Sequence, residues 1–174
     1  ALPAVRQNVS RFDNSQRHAL ACGDGVHVLV TATGQIAQDQ LILWQVSRKL
    51  DGVRCLIGKM DGQVLAVSRM GKDYSVSARF IIMDLIDTLA MMADGEFLDG
   101  ELYVHEKSLQ NISGLTRDQK ATDEHRMLQY HVYDVVAEGN VEFRIKGLGE
   151  FLRRANRENN RIHMVAHHVV ETHE

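Results

Sequence analysis

The chain has 174 residues, 44% hydrophobic and 25% charged, with a formal net charge of −3, a balance that supports one folded core and excludes a disordered tail or an all-basic coat. No run of about 18 apolar residues occurs, which excludes a membrane-spanning helix. Cys22 and Cys55 sit in no CxxC pair, so a disulfide scaffold is excluded and a reduced, cytoplasmic protein is expected.

Residues 1–40 are expected to be a segment preceding the core, with a short helix around Ser15 to Ala21 and a Gly23-Asp24-Gly25 turn. Val26 to Thr31 and Leu41 to Ser47 read as strands from their apolar runs. Val53–Ile57 and Val64–Val67 flank Asp61-Gly62, a hairpin signal. Val76 to Met92 is apolar at helical spacing on two flanks, which predicts one well-buried helix with Met83, Met91 and Met92 filling the core. Then follow a strand from Phe97 to Val104 interrupted at Asp99-Gly100-Glu101, a helix at Leu109–Leu115 and a strand at Leu128–Val136. A helix at Leu148–Ala155 and a last strand at Ile162–Val170 complete the pattern. Strands outnumber helices and several are hairpin-linked, so the expected class is α+β with largely antiparallel sheets flanked by helices.

Charge is segregated. Seven acids and no Lys or Arg lie between Asp84 and Glu106, whereas six bases against three acids lie between Val141 and Arg161. The first run is compatible with a cation site and the second with a phosphate-facing surface, although ordinary solvated faces have the same look.

The most informative stretch is Lys49-Leu50-Asp51-Gly52-Val53-Arg54. A lysine at the end of an apolar strand can be partly desolvated, which favours a nucleophilic amine. Gly52 permits close approach of backbone to a ligand. Arg54 offers a forked donor to hydroxyl or phosphate oxygens, and Asp51 can orient the lysine or share a cation.

These residues resemble the nucleotidyl-attachment motif of the covalent nucleotidyltransferases, which include ATP-dependent DNA ligases, RNA ligases and mRNA capping enzymes. Ser68-Arg69 with Gly71-Lys72, Phe97-Leu98-Asp99-Gly100-Glu101-Leu102 and Tyr130-His131-Val132-Tyr133-Asp134 resemble three further motifs in the family's order. The resemblance runs from about Trp44 to the C-terminus and is nearest to small bacteriophage and bacterial DNA ligases. It implies an ATP-grasp-like adenylation domain over residues 41–174.

It further implies that Lys49 attacks the α-phosphate of ATP and carries AMP, and that Ser47, Leu50, Arg54, Arg69, Glu101 and Tyr133 surround the nucleotide. Tyr133 would stack on adenine. Glu101 and Asp51 would hold Mg²⁺ or Mn²⁺, and Arg69 and Lys72 would contact nicked duplex DNA. Ser47 stands where many members carry a glutamate that touches the adenine amino group. The implied enzyme is a monomer that seals 5′-phosphate/3′-hydroxyl nicks in DNA replication, repair or recombination, in a host cytoplasm if phage-encoded.

Two later family motifs and an OB-fold domain do not follow before Glu174. The expectation is therefore a partial adenylation domain, weak in self-adenylation and unable to seal nicks alone. The alternatives are an RNA ligase, a GTP-dependent capping nucleotidyltransferase, or a non-catalytic nucleic-acid-binding module using Arg144 to Arg161. His163 and His167 are spaced i, i+4 but lack HExxH, and their Ile and Val neighbours favour a strand over a zinc helix. Cys55 reads as a packed thiol.

Overall fold

The computed structural model describes residues 17–22, 26–32, 42–136, 141–156 and 158–172. Among these, nine strands make two sheets. The first contains β1 (Arg17–Cys22), β2 (Val26–Ala32), β3 (Ile42–Arg48) and β9 (His167–Thr172), all antiparallel in the order β1-β2-β3-β9. The second contains β4 (Val53–Met60), β5 (Gln63–Val67), β6 (Phe97–Tyr103), β7 (Gln129–Val136) and β8 (Ile162–Met164), in the order β5-β4-β6-β7-β8. Only β7 and β8 run parallel within it. The helices are α1 (Arg79–Asp84), α2 (Ile86–Met91), α3 (Leu109–Arg117) and α4 (Val141–Leu152), with a 3₁₀ turn at Asp123–Met127. The α+β class with mainly antiparallel pairing is observed, and no described helix is long and apolar enough to cross a membrane.

Strand alternation separates the faces of the second sheet. Ile57, Leu98, Leu102, Tyr130 and Val132 point to one side and bury themselves against Ile81, Leu85, Leu89, Ile112, Leu148 and Leu152. Full burial of such side chains stabilises the fold by about 1.5–3 kcal/mol each. The opposite face carries Arg54, Asp99 and Glu101 and is the one that matters for chemistry. The β4–β5 hairpin forms where Asp61-Gly62 predicts it, and Asp94 holds the turn by accepting from both backbone N–H groups at 3.1 and 2.9 Å.

Several local expectations are corrected. The segment expected to be helical at Ser15–Ala21 is strand β1 from Arg17, because six consecutive residues pair with β2 and the ladder overrides weak local propensity. Gly23 to Gly25 lie outside the described residues. The single helix at Val76–Met92 is two short helices broken at Leu85. The Asp84 carbonyl accepts from Asn156 N–H at 2.7 Å instead of from its own helix, and the Asp84 carboxylate holds Arg161 Nε at 2.7 Å and Asn159 Nδ2 at 3.1 Å. Only one flank of the pair is buried. Val76, Met83, Ile86 and Met91 are exposed, and Met92 alone of the three expected core methionines is inside.

Helix α4 begins seven residues before the expected start and ends at Leu152. Gly147 and Gly149 mask it in the sequence, while Arg144 anchors it to Asp134 through bonds of 3.0 and 3.1 Å. The last strand is also two strands. After β8 the Val165 N–H donates to Val132 O at 2.8 Å, and the chain then crosses to the first sheet, where His168 pairs with Val46.

Candidate nucleotide-binding site around Lys49

Lys49 is exposed and directly follows β3; Asp51 is exposed in the turn that leads into β4. Gly52 packs that turn onto β6. A Cβ there would lie 2.4 Å from the Leu102 carbonyl oxygen and 2.7 Å from Glu101 Cγ, so no larger residue lets the lysine loop sit this close to Glu101. Arg54 and Glu101 are directly opposite each other on β4 and β6. Arg54 holds Asp99 with two hydrogen bonds, Nε to Oδ1 at 2.9 Å and Nη2 to Oδ2 at 2.5 Å. Asp99 is buried and the contact is a two-point, charge-assisted one, so solvent screens this pair less than an exposed one.

The pair sets the local electrostatics. Burial works against the Arg54 charge, but the hydrogen bonds and negative charge of Asp99 outweigh it and hold the guanidinium pKa above its ordinary value. Glu101 is pushed up to about 7, first by burial and then by Asp99, with Asp51 adding to the rise and Lys49 and Arg54 opposing it. Lys49, Asp51, Arg54, Asp99 and Glu101 thus form one electrostatic cluster. Burial, more than any one neighbouring charge, is what disfavours the Glu101 carboxylate here.

Tyr133 joins the cluster through a β-bulge. Asp99 pairs with Asp134 and Gly100 with Val132, so Tyr133 is the extra residue of β7. It lies near enough to Arg54 to affect its charge. Bulges re-aim a side chain in this way. Gly100 makes room for the other strand: a Cβ there would lie 2.6 Å from His131 O and 2.7 Å from the buried Tyr130 ring. Tyr130 in turn shares its one hydroxyl hydrogen between Leu98 O at 2.8 Å and Cys55 O at 3.0 Å.

A cavity of about 510 Å³ opens beside the lysine loop. Ser47, Leu50, His131, His163 and Val165 line it, from β3, the lysine loop, β7, β8 and the crossing between β8 and β9. Both sequence neighbours of Lys49, Arg48 and Leu50, reach it. Its size suits a small-molecule site.

Arg69 and Lys72 lie on the turn that leaves β5. They are exposed on a turn after β5 built by Ser68, whose backbone N–H donates to Lys72 O at 2.8 Å and whose Oγ accepts from Lys72 N–H at 2.9 Å. This turn follows the outer strand β5, whose Val67 pairs with Leu56, so it leaves the sheet at the end of β4 that carries Arg54. Part of each charge run serves structural contacts. Of the acids, Asp84, Asp94 and Asp99 fasten Arg161, the hairpin and Arg54. Of the bases, Arg144 holds Asp134 and Arg153 holds Glu150. Cys55 is fully buried and burial pushes its thiol pKa well up, consistent with packing.

Three features went unassigned in the sequence. Asp99 lay inside a quoted motif, where a buried acid one strand from an arginine was the available signal. His131 and His163 gave none, since their juxtaposition depends on a parallel pairing of β7 with β8.

The family model described as ATP dependent DNA ligase domain matches residues 34–174. The chain belongs to the ATP-dependent DNA ligase domain family. Thirteen solved chains match as well. One titled "Pmar-Lig_Pre." shares 21% identity with a TM-score of 0.56, over 74% of this chain and 31% of that one. Another titled "Pmar-Lig_PreS3" shares 19% identity with a TM-score of 0.59, over 74% and 32%. These likenesses show the fold, and this ligase domain spans about a third of the length of either protein. No curated protein sequence matches the chain. Use of ATP is what membership of the ligase family implies for the cluster around Lys49.

Proposed function

We propose that the chain is the nucleotide-binding portion of an ATP-dependent DNA ligase that seals 5′-phosphate/3′-hydroxyl nicks in duplex DNA through a lysyl-AMP intermediate. The observation that supports this most is the exposed Lys49, held by Gly52 against a strand that presents Glu101 opposite an Asp99-braced Arg54. In this reading the Lys49 amine attacks the α-phosphorus of ATP, a P–N bond forms, and the P–O bond to pyrophosphate breaks. The lysine proton leaves to solvent or to a nearby carboxylate. Arg54 contacts the ribose or its phosphate, and Tyr133 offers a stacking face.

A divalent cation, Mg²⁺ or Mn²⁺, fits the donor set. Glu101 and Asp51 are hard oxygen donors close enough to act on each other's charge. Among the described residues no three such side chains group closely enough to hold a metal ion, so phosphate oxygens would complete its shell. The ion would offset charge on the departing pyrophosphate. Arg69 and Lys72, exposed on the turn after β5, suit contact with phosphates of the DNA strand, and Arg69 also with a phosphate of the nucleotide. The domain would act in DNA replication, repair or recombination in the cytoplasm, as a monomer.

The test is incubation with α-³²P-ATP and Mg²⁺ followed by a denaturing gel. A labelled band in the wild-type chain and none with Lys49→Ala is the expected result. Label that persists in Lys49→Ala, or a band formed equally from GTP, would sink the reading.

A further inference from the structure

We propose that the outer face of helices α1 and α2 is a self-pairing surface, on which a second copy of this chain docks antiparallel about a two-fold axis at Met83. The inference is independent of the reading of Lys49. It starts from the two apolar flanks of the stretch from Val76 to Met92, of which the core takes only one. Ile81, Leu85 and Leu89 are buried against the second sheet. On the opposite flank Met83 is 59% and Ile86 55% exposed, and Val76 and Met91 are exposed as well. A helix that is apolar on both sides calls for a second covering surface.

The break at Leu85 does not turn this flank away. Leu85 N–H still donates to Ile81 O at 3.0 Å and Leu89 N–H to Leu85 O at 2.8 Å, so the helical phase carries through. Val76, Arg79, Met83, Ile86, Asp87 and Ala90 are all exposed. At about 100° per residue they fall within one arc of about 100°. Their spacing is that of a seam between paired helices.

Charge selects the occupant. Arg79 and Asp87 are the exposed charges of this stretch, because Asp84 is buried and holds Arg161. Arg79 stands four residues before Met83 and Asp87 four residues after it. With Met83 opposite Met83, antiparallel copies set Arg79 of each against Asp87 of the other. Phe80 then meets Ile86, and Val76 meets Ala90. A parallel pairing in register would instead face like charges. Arg126 adds to the positive end: its guanidinium lies 4.1 Å from the centre of the Phe80 ring and that of Arg79 lies 5.4 Å from it, with Asp123 accepting from Arg126 at 3.0 Å. The face is thus complementary to itself, which is the condition for an isologous contact. These helices cover one face of the second sheet, whereas Arg54, Asp99 and Glu101 lie on the other. Pairing leaves each Lys49 site open, and each chain remains a catalytic unit of its own.

The test is sedimentation equilibrium of the whole chain from about 1 µM to about 300 µM, the range in which a small interface dissociates. A dimer that dissociates on dilution is the expected result. Arg79→Asp and Asp87→Arg should each raise the dissociation constant by about tenfold or more, because like charges then face each other. An equimolar mixture of the two variants should pair again, since every contact in the mixed dimer joins opposite charges. Loss of folding cannot produce that recovery. Met83→Cys, whose thiol would face its own copy at the axis, should oxidise to a reducible dimer far faster than Met70→Cys, which is exposed on the turn after β5. A wild-type chain that stays monomeric throughout would assign this face to a different partner and overturn the inference. Pairing that survives in folded Arg79→Asp, mixed variants that stay apart, or equal oxidation of the two cysteine variants would overturn it too. None of these outcomes alters the labelling expected at Lys49.

Discussion

At the scale of single residues, the Arg54–Asp99 pair governs the site. Asp99→Asn leaves a guanidinium that is largely buried and has lost its charge partner. Breaking such a pair costs about 3 kcal/mol, so the urea midpoint should fall and Lys49 labelling should weaken with it. An unchanged midpoint would show that the pair is not braced by burial. Two other groups give opposite pH dependences. Glu101 keeps its proton up to about 7 in the fold but only to 4.5 as a free side chain. Between those values the folded state binds more protons, so its contribution falls as pH rises and the penalty is complete above about 7. His131 shifts from 6.5 down to about 4. There the unfolded chain binds the extra proton, and stability is lost as pH falls through that window. The groups facing His131 are His163 on β8, Arg48 on β3, and Tyr103 and the cross-strand partner Glu101 on β6. Urea midpoints should therefore show Glu101→Gln gaining more at pH 8 than at pH 4.5, and His131→Phe gaining more at pH 4.5 than at pH 8. Equal shifts at both pH values would contradict these assignments.

At the scale of elements, two glycines decide how closely strands and loops approach. Gly52→Ala puts a methyl 2.4 Å from a backbone oxygen that has no flexible side chain to yield. The lysine loop must lift from β6, which costs about 1–3 kcal/mol. Self-adenylation should drop by about tenfold or more, since misplacement of a reacting group by about 1 Å has such effects. Labelling of Gly52→Ala at the wild-type rate would count against a loop held by close packing. Much of this level was legible in the sequence. The Asp61-Gly62 hairpin, the motif lysine at a strand end and the period-2 strands β4, β6 and β7 all follow from local chemistry. The helix between Val76 and Met92 was not fully legible, because what breaks it is Asn156, some seventy residues away, taking the Asp84 carbonyl. Strand β1 was misread for the same kind of reason: its partner, not its composition, makes it extended.

At the scale of the whole molecule, the crossing from β8 to β9 ties the two sheets together and closes one wall of the cavity. Val165 makes the hinge by donating to Val132 O. Val165→Pro removes that donor and leaves a buried carbonyl short of a partner, at about 2 kcal/mol. Thermal unfolding should shift down and ATP binding should weaken in step. Retention of full ATP binding by a folded Val165→Pro chain would mean that the crossing does not shape the site.

The division between sequence and tertiary structure runs along a physical line. Residue types at short spacing pointed to the proposed nucleophile Lys49, the tight approach at Gly52, the candidate ligand Glu101 and the α+β class, because each depends on local geometry or on chemistry that a side chain carries anywhere. Pairings between distant strands decided the rest. They bring Arg54 to Asp99 across 45 residues, place Tyr133 at a bulge, stack His131 on His163 and send the last segment into a second sheet. None of these has a local signature, since the free energy that selects them comes from contacts formed only once the chain has closed on itself.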